Sequence, residues 1–274
     1  MGLYREQLFS PGKVNEDAAI LDATLEALLP MGYPGASALK VEDLCHLASR
    51  PRWVLSMAQS ELALAVLGRW EREGSRVINS VQSIRNCYRK PLIRLLSAVD
   101  APIPPSRVMG LEEVRRDFLA RPFGRYWLKR GDVHAVQAGD VVEVTSQEKL
   151  MEALDHFHAE RIDQVLVQEH VEGEVIKFYG VGPGEYFDAF SVLSGRRIVS
   201  GMQKLSHLAN HSAEAVGLEV FGGDAILTRT GELVLIDLND WPSFSRCRGA
   251  AARGIARHMM RVCGGSFNDL SRCG

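Results

Sequence analysis

The stretch of sequence that decides the fold runs from residue 223 to residue 239 and reads GDAILTRTGELVLIDLN. Two apolar runs flank Thr230-Gly231, a pair that is typical of a turn between strands. A two-residue loop at this pair would place Arg229 opposite Glu232, and a loop with an odd number of residues would shift the pairing by one. The stretch therefore predicts an antiparallel β-hairpin.

This hairpin gathers oxygen-bearing side chains. The two-residue loop also sets Asp224 opposite Asp237, and strand alternation puts Asn239 on the same face as Asp237. Opposed Cβ atoms lie about 4.5–5.5 Å apart, and two carboxylates that close repel unless a cation separates them. Oxygen ligands suit Mg²⁺. The alternative is that these side chains are merely exposed to solvent at the end of a strand. However, Asp237 follows the apolar run 233–236, and a charged residue without a partner is disfavoured at the end of a buried strand. We expect a magnesium site.

Composition limits the classes of protein. The chain has 274 residues, 46% hydrophobic and 24% charged, with a formal charge of −2, as expected for a soluble globular enzyme of two domains or several lobes. The charge balance does not predict nucleic-acid or membrane partners. No apolar run approaches the roughly 20 residues that span a bilayer, and the N-terminus lacks the apolar core of a secretory signal.

Five scattered cysteines without a C-x-x-C pair argue against a disulfide framework and against a zinc site. The expected state is reduced thiols in a cytoplasmic protein. A nucleophilic role for Cys247, which follows the hairpin, is the alternative, although no partner histidine is evident beside it.

Alternating strand and helix signals predict an α/β (α+β) chain in three parts. Residues 1–88 form an N-terminal α/β lobe, which includes a helix from Asn15, its expected N-cap, to Leu29. Three prolines between residues 101 and 105 indicate an extended connection. Residues 89–171 form a central lobe, and residues 172–274 form a C-terminal lobe that contains the hairpin.

Several residues are candidates for nucleotide binding. Lys129 ends a short strand and could act as a point charge for phosphate, as could Lys90, although either lysine could be an ordinary surface charge. Backbone groups at the end of the strand 164–170 could recognise an adenine edge. That predicted hinge consists of Gln168, Glu169, His170 and Val171. Glu174 could reach the ribose, and the loop 130–140 could cover phosphates.

In this order, the features resemble the ATP-grasp superfamily from about Asn79 to Met260. The superfamily pattern is two lysines, an adenine hinge, an Asp strand and a final Asp/Glu-x-Asn strand. The matching positions are Lys90, Lys129, Gln168 to Val171, Asp224, and Asp237 with Asn239, and the segment 235–244 is the most specific of them. The resemblance implies a three-lobed ATP-grasp fold with ATP between the central and C-terminal lobes, and an N-terminal lobe that helps to bind the acceptor.

The resemblance also implies the chemistry. Most ATP-grasp enzymes are ligases, so a carboxylate-amine ligase that acts through an acyl phosphate on a small molecule or peptide is the leading hypothesis. A kinase of the inositol-phosphate kinase type is the alternative, because Lys177 stands where ligases related to glutathione synthetase often have Arg, and because the loop after Lys129 is glycine-poor and contains His134. A nucleotide-binding module without catalysis is the third possibility.

In this scheme Mg²⁺ bridges the β- and γ-phosphates of ATP from its three hairpin ligands, while Lys129 and Lys90 stabilise the phosphates. The acceptor is expected near Lys177, Arg246 and Arg248. The two arginines follow Ser245, a possible N-cap of the last helix, and suit a carboxylate or phosphate on the acceptor. The plainer alternative is a solvated helix face. The identity of the acceptor and the oligomeric state are not encoded in any motif of the chain.

Overall fold

A computed structural model describes residues 1–119, 124–131 and 139–264. Three four-stranded sheets organise this part of the chain, and each is built from one continuous portion of the sequence. The mixture of one parallel sheet and two antiparallel sheets agrees with the predicted α/β (α+β) class. No helix among these residues has both the length and the apolar character needed to cross a membrane.

The first sheet is parallel and has the order β2-β1-β3-β4. Its strands are β1 (Gly2–Leu3), β2 (Ala38–Leu39), β3 (Trp53–Ser56) and β4 (Arg76–Ile78). Parallel neighbours need long crossovers, and helices α1 (Val14–Leu28) and α2 (Glu61–Arg72) supply them. The N-cap of α1 is Lys13, so the prediction that Asn15 caps this helix is wrong. Ser60 caps α2 by accepting a hydrogen bond from the Ala63 N–H.

Two short helices lead from the first sheet toward the second. They are α3 (Val81–Asn86) and α4 (Arg89–Ala98). The second sheet has the order β5-β8-β6-β7, and all its neighbours are antiparallel. Its strands are β5 (Ser106–Gly110), β6 (Tyr126–Arg130), β7 (Val141–Val144) and β8 (Gln164–Glu169). Helices α5 (Leu111–Leu119) and α6 (Gln147–Ala159) accompany it.

The third sheet is antiparallel and has the order β10-β9-β11-β12. Its strands are β9 (Glu174–Val181), β10 (Tyr186–Ser191), β11 (Val220–Leu227) and β12 (Leu233–Asp240). Helices α7 (Met202–Val216) and α8 (Arg248–Gly264) flank it. Between β9 and β10, Pro183 (φ −65°, ψ 113°) and Gly184 (φ 78°, ψ 0°) form a type II turn, as the proline-glycine signal predicts.

Two packed layers connect the third sheet to the rest of the chain. On one face, α1 and α8 pack together over side chains of the sheet such as Tyr179 and Val181. On the other face, Leu92 and Leu96 of α4 join α7 and Phe178 in one apolar cluster. Helix α4 therefore packs on the third sheet, although the predicted boundary at residue 89 assigns it to the central lobe. The three domain ranges remain predictions.

The hairpin formed by β11 and β12 has a longer loop than the predicted two-residue loop. Five residues, 228–232, separate Leu227 from its partner Leu233, so the pairing of Arg229 with Glu232 is wrong. An odd loop should have shifted Asp224 away from Asp237. However, a β-bulge lies between Asp224 and Ala225 in the register and restores the pairing of the two aspartates. Two irregularities of opposite sense thus leave the predicted carboxylate pair intact.

Candidate active site

The predicted metal ligands lie together on one face of the third sheet. Asp224 of β11 is directly opposite Asp237 of β12. The Asn239 Nδ2 donates a hydrogen bond to Asp237 Oδ2 over 3.1 Å. No group of three His, Cys, Asp or Glu side chains in the described part of the chain could hold a metal ion. A hard divalent ion would therefore depend on two carboxylates and one amide oxygen, a donor set that suits Mg²⁺.

Each of the two aspartates already has a cationic partner. Lys177 Nζ lies 2.7 Å from Asp224 Oδ1 and 3.0 Å from Asp224 Oδ2. Arg89 Nη1 lies 2.7 Å from Asp237 Oδ1, and only 4% of Arg89 is exposed. Positive side chains therefore provide the charge balance that the close carboxylate pair requires.

The pKa values of the first pair reflect this arrangement. Burial lowers the pKa of Lys177, but the charge and the hydrogen bond of Asp224 outweigh burial, so that the pKa is raised overall. Burial raises the pKa of Asp224, and Lys177 opposes this rise. Lys177 is thus held as a cation against the face where a metal would sit.

Lys129 connects the second sheet to the third. Its Nζ donates a hydrogen bond to the carbonyl oxygen of Ile236 in β12 over 3.2 Å. The residue is only 7% exposed, and burial lowers the pKa of its ammonium to about 8, although the charge of Asp237 works in the other direction. Lys129 is therefore the cation of this cluster that can lose its proton near physiological pH.

The other predicted lysine does not join the cluster. Lys90 is exposed on α4, and its neighbour Arg89 points inward to Asp237. Successive helix residues point about 100° apart, so only one of the two can face the sheet. The buried Leu92 and Leu96 lie three and seven residues after Arg89, on the same helix face. That apolar spacing was the signal in the sequence that could have identified Arg89.

The predicted adenine hinge comprises the last two residues of β8, an inner strand of the second sheet, and the two residues that follow it. The Glu169 N–H donates to the Pro105 carbonyl and the His170 N–H donates to the Arg125 carbonyl. Gln168 is buried and its side chain donates to Ser106 Oγ over 3.1 Å. The Val171 N–H takes part in neither of these two backbone bonds.

The His170 side chain is also occupied, because the Trp127 Nε1 donates to its Nδ1 over 3.1 Å. Glu174 is exposed on β9. Strand alternation places it on the same face as Ile176 and Phe178, opposite to the face of Lys177, and its ribose role stays a prediction. Most of the predicted phosphate loop, residues 132–138 with His134, lies outside the described residues.

The space between the second and third sheets is small. A cavity of about 10 Å³ lies there, bordered by Arg89, Gln168 and Asp237. Lys129 closes the same region by its bond to Ile236. The two sheets are in contact where the resemblance predicts the nucleotide.

A larger cleft of about 420 Å³ opens on the other side of the site, between the first thirty residues and the third sheet. Lys177 and Asn239 line it, so it adjoins the carboxylate pair. Its N-terminal wall includes Phe9, Ser10, Pro11, Lys13, Glu16 and Asp17, and its other wall includes Val192, Pro242, Ser243, Ser245 and Arg246. The cleft therefore has the position predicted for the acceptor.

The two predicted acceptor arginines have different positions. Arg246 lines the cleft, whereas Arg248 does not belong to its lining. Helix α8 begins at Arg248, three residues after Ser245, so Ser245 is not its N-cap and Arg246 precedes the helix. Sequence reasoning had placed both arginines on the first helical turn, where they could not both point into one cleft.

Glycine is required where β11 meets β12 beside the site. A Cβ atom on Gly223 would overlap the carbonyl oxygen of Asp237, and a Cβ atom on Gly222 would overlap the ring of Pro242. Any larger residue would push β12 away. The two glycines thus allow the strand that carries Asp237 to approach closely.

Cys247 is half-buried beside Tyr186 and Asp188. Burial raises the pKa of its thiol to about 11. The thiol is therefore protonated at neutral pH, which argues against the alternative of a cysteine nucleophile.

The fold of the chain, but not its sequence, is similar to known proteins. No family model and no curated protein matches the sequence. The structure of a RimK-domain ATP-grasp protein from Sphaerobacter thermophilus matches with a TM-score of 0.70 at 20% identity, over 94% of this chain and 98% of that chain. The ATP-grasp ligase PsnB, complexed with minimal precursor, Mg and ADP, matches with a TM-score of 0.65 at 18% identity, over 95% and 98%.

The D-alanine–D-alanine ligase of Bacillus anthracis, complexed with ATP, matches with a TM-score of 0.69 at 12% identity, over 95% of this chain and 97% of that chain. These identities are low, so the likeness concerns the fold. The chain has the fold of the ATP-grasp superfamily, and the resemblance inferred from its motifs is confirmed at that level.

Proposed function

We propose that this protein is a Mg²⁺- and ATP-dependent ligase that joins a carboxylate to an amine through an acyl phosphate. The observation that carries the proposal is the convergence of two aspartates and an asparagine with three buried or half-buried cations. This cluster adjoins the cleft of about 420 Å³ through Lys177 and Asn239. The neighbours solved with ATP or with Mg and ADP support both cofactors.

The residues would divide the work as follows. Asp224, Asp237 and the Asn239 amide oxygen would hold Mg²⁺, which neutralises phosphate charge and orients the γ-phosphoryl group. Arg89 and Lys129 would balance the triphosphate. Arg89 takes the place that the sequence assigned to Lys90.

Nucleotide entry would require the second and third sheets to separate, because Lys129 now bridges them. The base would then meet the end of β8, where the Val171 N–H is available for an adenine edge. The phosphates would lie over β12 and replace the carbonyl of Ile236 as the partner of Lys129.

The acceptor would enter from the cleft, on the side of Lys177 and Asn239. Its carboxylate oxygen would attack the γ-phosphorus of ATP and ADP would leave, giving an acyl phosphate. An amine would then attack the acyl carbon and inorganic phosphate would leave. Lys177, which lies between the cleft and the carboxylate pair, would stabilise the charge on the transferred group. The acceptor is a small molecule or a peptide; the neighbour PsnB was solved with a precursor peptide.

A kinase of the same fold is the second candidate, and Lys177 is the specific feature that favours it. In that reaction a hydroxyl oxygen would attack the γ-phosphorus, and no free phosphate would form.

Either enzyme would fit a cytoplasmic location, because both would use ATP. The cysteines also fit this location, since none of those in the described residues is in a disulfide.

Product analysis tests the proposal. The ligase should release ADP and phosphate only when a carboxylate and an amine are both present, whereas the kinase should release ADP with a phosphorylated alcohol. We expect Asp237→Ala to reduce turnover by roughly 100-fold or more, because it removes a metal ligand and frees Arg89.

Glu152→Ala is the matched control, since Glu152 is exposed on α6, away from the predicted site residues, and should leave turnover unchanged. Normal turnover by the Asp237 variant would contradict the metal assignment. Tight Mg-ATP binding by the unchanged protein with no turnover of any acceptor would favour a binding module.

A further inference from the structure

The charged residues of the acceptor cleft fall into two groups. Arg5 belongs to the first group, because it forms ion pairs with Asp17 over 3.4 Å and with Asp240 over 3.7 Å. It also donates to the carbonyl oxygen of Trp241 over 2.9 Å. Lys177 is likewise paired with Asp224. The charges of these two cations are already balanced by carboxylates of the protein, so neither offers an uncompensated charge to the remote end of an acceptor.

Lys13 and Arg246 form the second group. Both line the cleft, and neither makes an ion pair with any residue in the described ranges. Lys13 lies on the N-terminal wall immediately before α1, and Arg246 lies on the opposite wall before α8. Glu16 is a cleft carboxylate that also makes no ion pair among the described residues.

Arg246 is held in place without being neutralised. Its Nη1 donates to the Gly195 carbonyl over 2.9 Å, and its guanidinium carbon lies 5.9 Å from the centre of the Phe190 ring. These contacts fix the plane of the guanidinium, and its remaining N–H groups can bind a carboxylate or phosphate in a bidentate manner. Arg246 is therefore oriented to bind an anion, and no carboxylate of the described residues pairs with it.

We propose that the acceptor carries an oxyanion, a carboxylate or a phosphate, at the end remote from the reacting group, and that Lys13 and Arg246 hold it from opposite walls. This inference rests on the proposed function, because it takes the cleft beside Lys177 as the acceptor site. The volume of about 420 Å³ limits the bound part of the acceptor to the size of a small metabolite or a few peptide residues.

The experiment uses the full chain saturated with Mg²⁺ and a non-hydrolysable ATP analogue. Glutarate is the carboxylate probe, glycerol phosphate is the phosphate probe, and glutaramide is the neutral control. Binding of each is measured by calorimetry or ligand-observed NMR. Lys13→Met and Arg246→Met should each weaken binding of the preferred oxyanion about tenfold, since each removes a charge-assisted hydrogen bond to it.

Lys149→Met is the matched control, because Lys149 is exposed on α6 outside the cleft and its loss should leave binding unchanged. The stronger of the two anionic probes identifies the chemistry of the remote group. The inference is overturned if unchanged protein binds neither oxyanion, if glutaramide binds as tightly as glutarate, or if both cleft variants retain full affinity.

The outcome is distinguishable from failure of the proposed function. Absence of binding of the ATP analogue to the unchanged protein would contradict ATP use. Normal analogue binding, together with oxyanion binding that does not depend on Lys13 or Arg246, would contradict only the acceptor assignment.

Discussion

The face of the third sheet and the acceptor cleft adjoin at Lys177 and Asn239, yet they manage charge in opposite ways. On the sheet face, each aspartate has a cationic partner at 2.7 Å. In the cleft, Lys13 and Arg246 have no ionic partner among the described residues. The difference is that the charged residues of the sheet face are buried or half-buried, whereas Lys13 and Arg246 are exposed to water.

Physical chemistry accounts for this division. A buried charge without a partner costs several kcal/mol, so the sheet face must balance its own charges before any ligand arrives. A solvated cation has no such requirement, because water stabilises its charge and the free-energy cost of leaving it without an ionic partner is small. In this fold, a ligand that binds at the paired charges must therefore displace existing contacts within the protein. A ligand that binds at the unpaired charges can form new contacts without breaking any.

The largest structural effect is expected at the strand that carries the paired charges. Gly223→Ala would drive a methyl group into the carbonyl oxygen of Asp237, and overpacking of this kind costs about 1–3 kcal/mol. The free energy of unfolding, measured with urea, should fall by that amount. Gly35→Ala is the control, because nothing lies within 4 Å of its Cβ position. Equal stability of the two variants would contradict the close approach of β11 and β12.

The next test breaks one of the ion pairs on the sheet face. Lys177 occupies both oxygens of Asp224, so the unchanged protein should bind Mn²⁺ weakly without nucleotide. Lys177→Met frees these oxygens and removes a repelling charge, and we expect Mn²⁺ affinity to rise about tenfold. Electron paramagnetic resonance of free Mn²⁺ measures this change. If Lys177→Met and the Lys149→Met control bind Mn²⁺ with equal affinity, Lys177 does not compete with the metal ion for Asp224.

The smallest effect concerns protonation of Lys129. Its pKa is about 8 in the folded chain, and a bound triphosphate should raise it, because the anion favours the charged form. Nucleotide binding should therefore take up a proton above pH 8 but not at pH 6.5, and affinity should weaken severalfold as pH rises from 7 to 9.

Calorimetry in two buffers with different ionisation enthalpies measures this proton uptake. The Lys129→Met variant is the reference and should show no uptake from this position. Identical uptake by the variant and the unchanged protein at pH 8.5 would assign the proton to another group.

Local features of the sequence were sufficient for much of the fold. Strands and helices appeared close to their predicted positions, because alternation, helical spacing and Gly-Pro turns act over a few residues. The pairing of Asp224 with Asp237 was also confirmed. Its correctness depended on a five-residue loop and a compensating bulge, neither of which the turn signal Thr230-Gly231 contains.

Choices between neighbouring residues were less predictable. Lys90 was predicted because lysine matches the superfamily pattern, but helix phase turns its neighbour Arg89 to the sheet. One residue of helix rotation therefore decides which side chain reaches the site. The ribose role of Glu174 stays a prediction.

The sequence by itself determined that a C-terminal hairpin presents two aspartates and an asparagine, since strand periodicity and turn chemistry are encoded locally. The tertiary structure decided which cations meet them and which remain unpaired. Arg89 lies 148 residues from Asp237, and Lys13 and Arg246 meet one cleft from opposite ends of the chain. Such pairings depend on how helices pack on sheets, and no local pattern of residues carries that information.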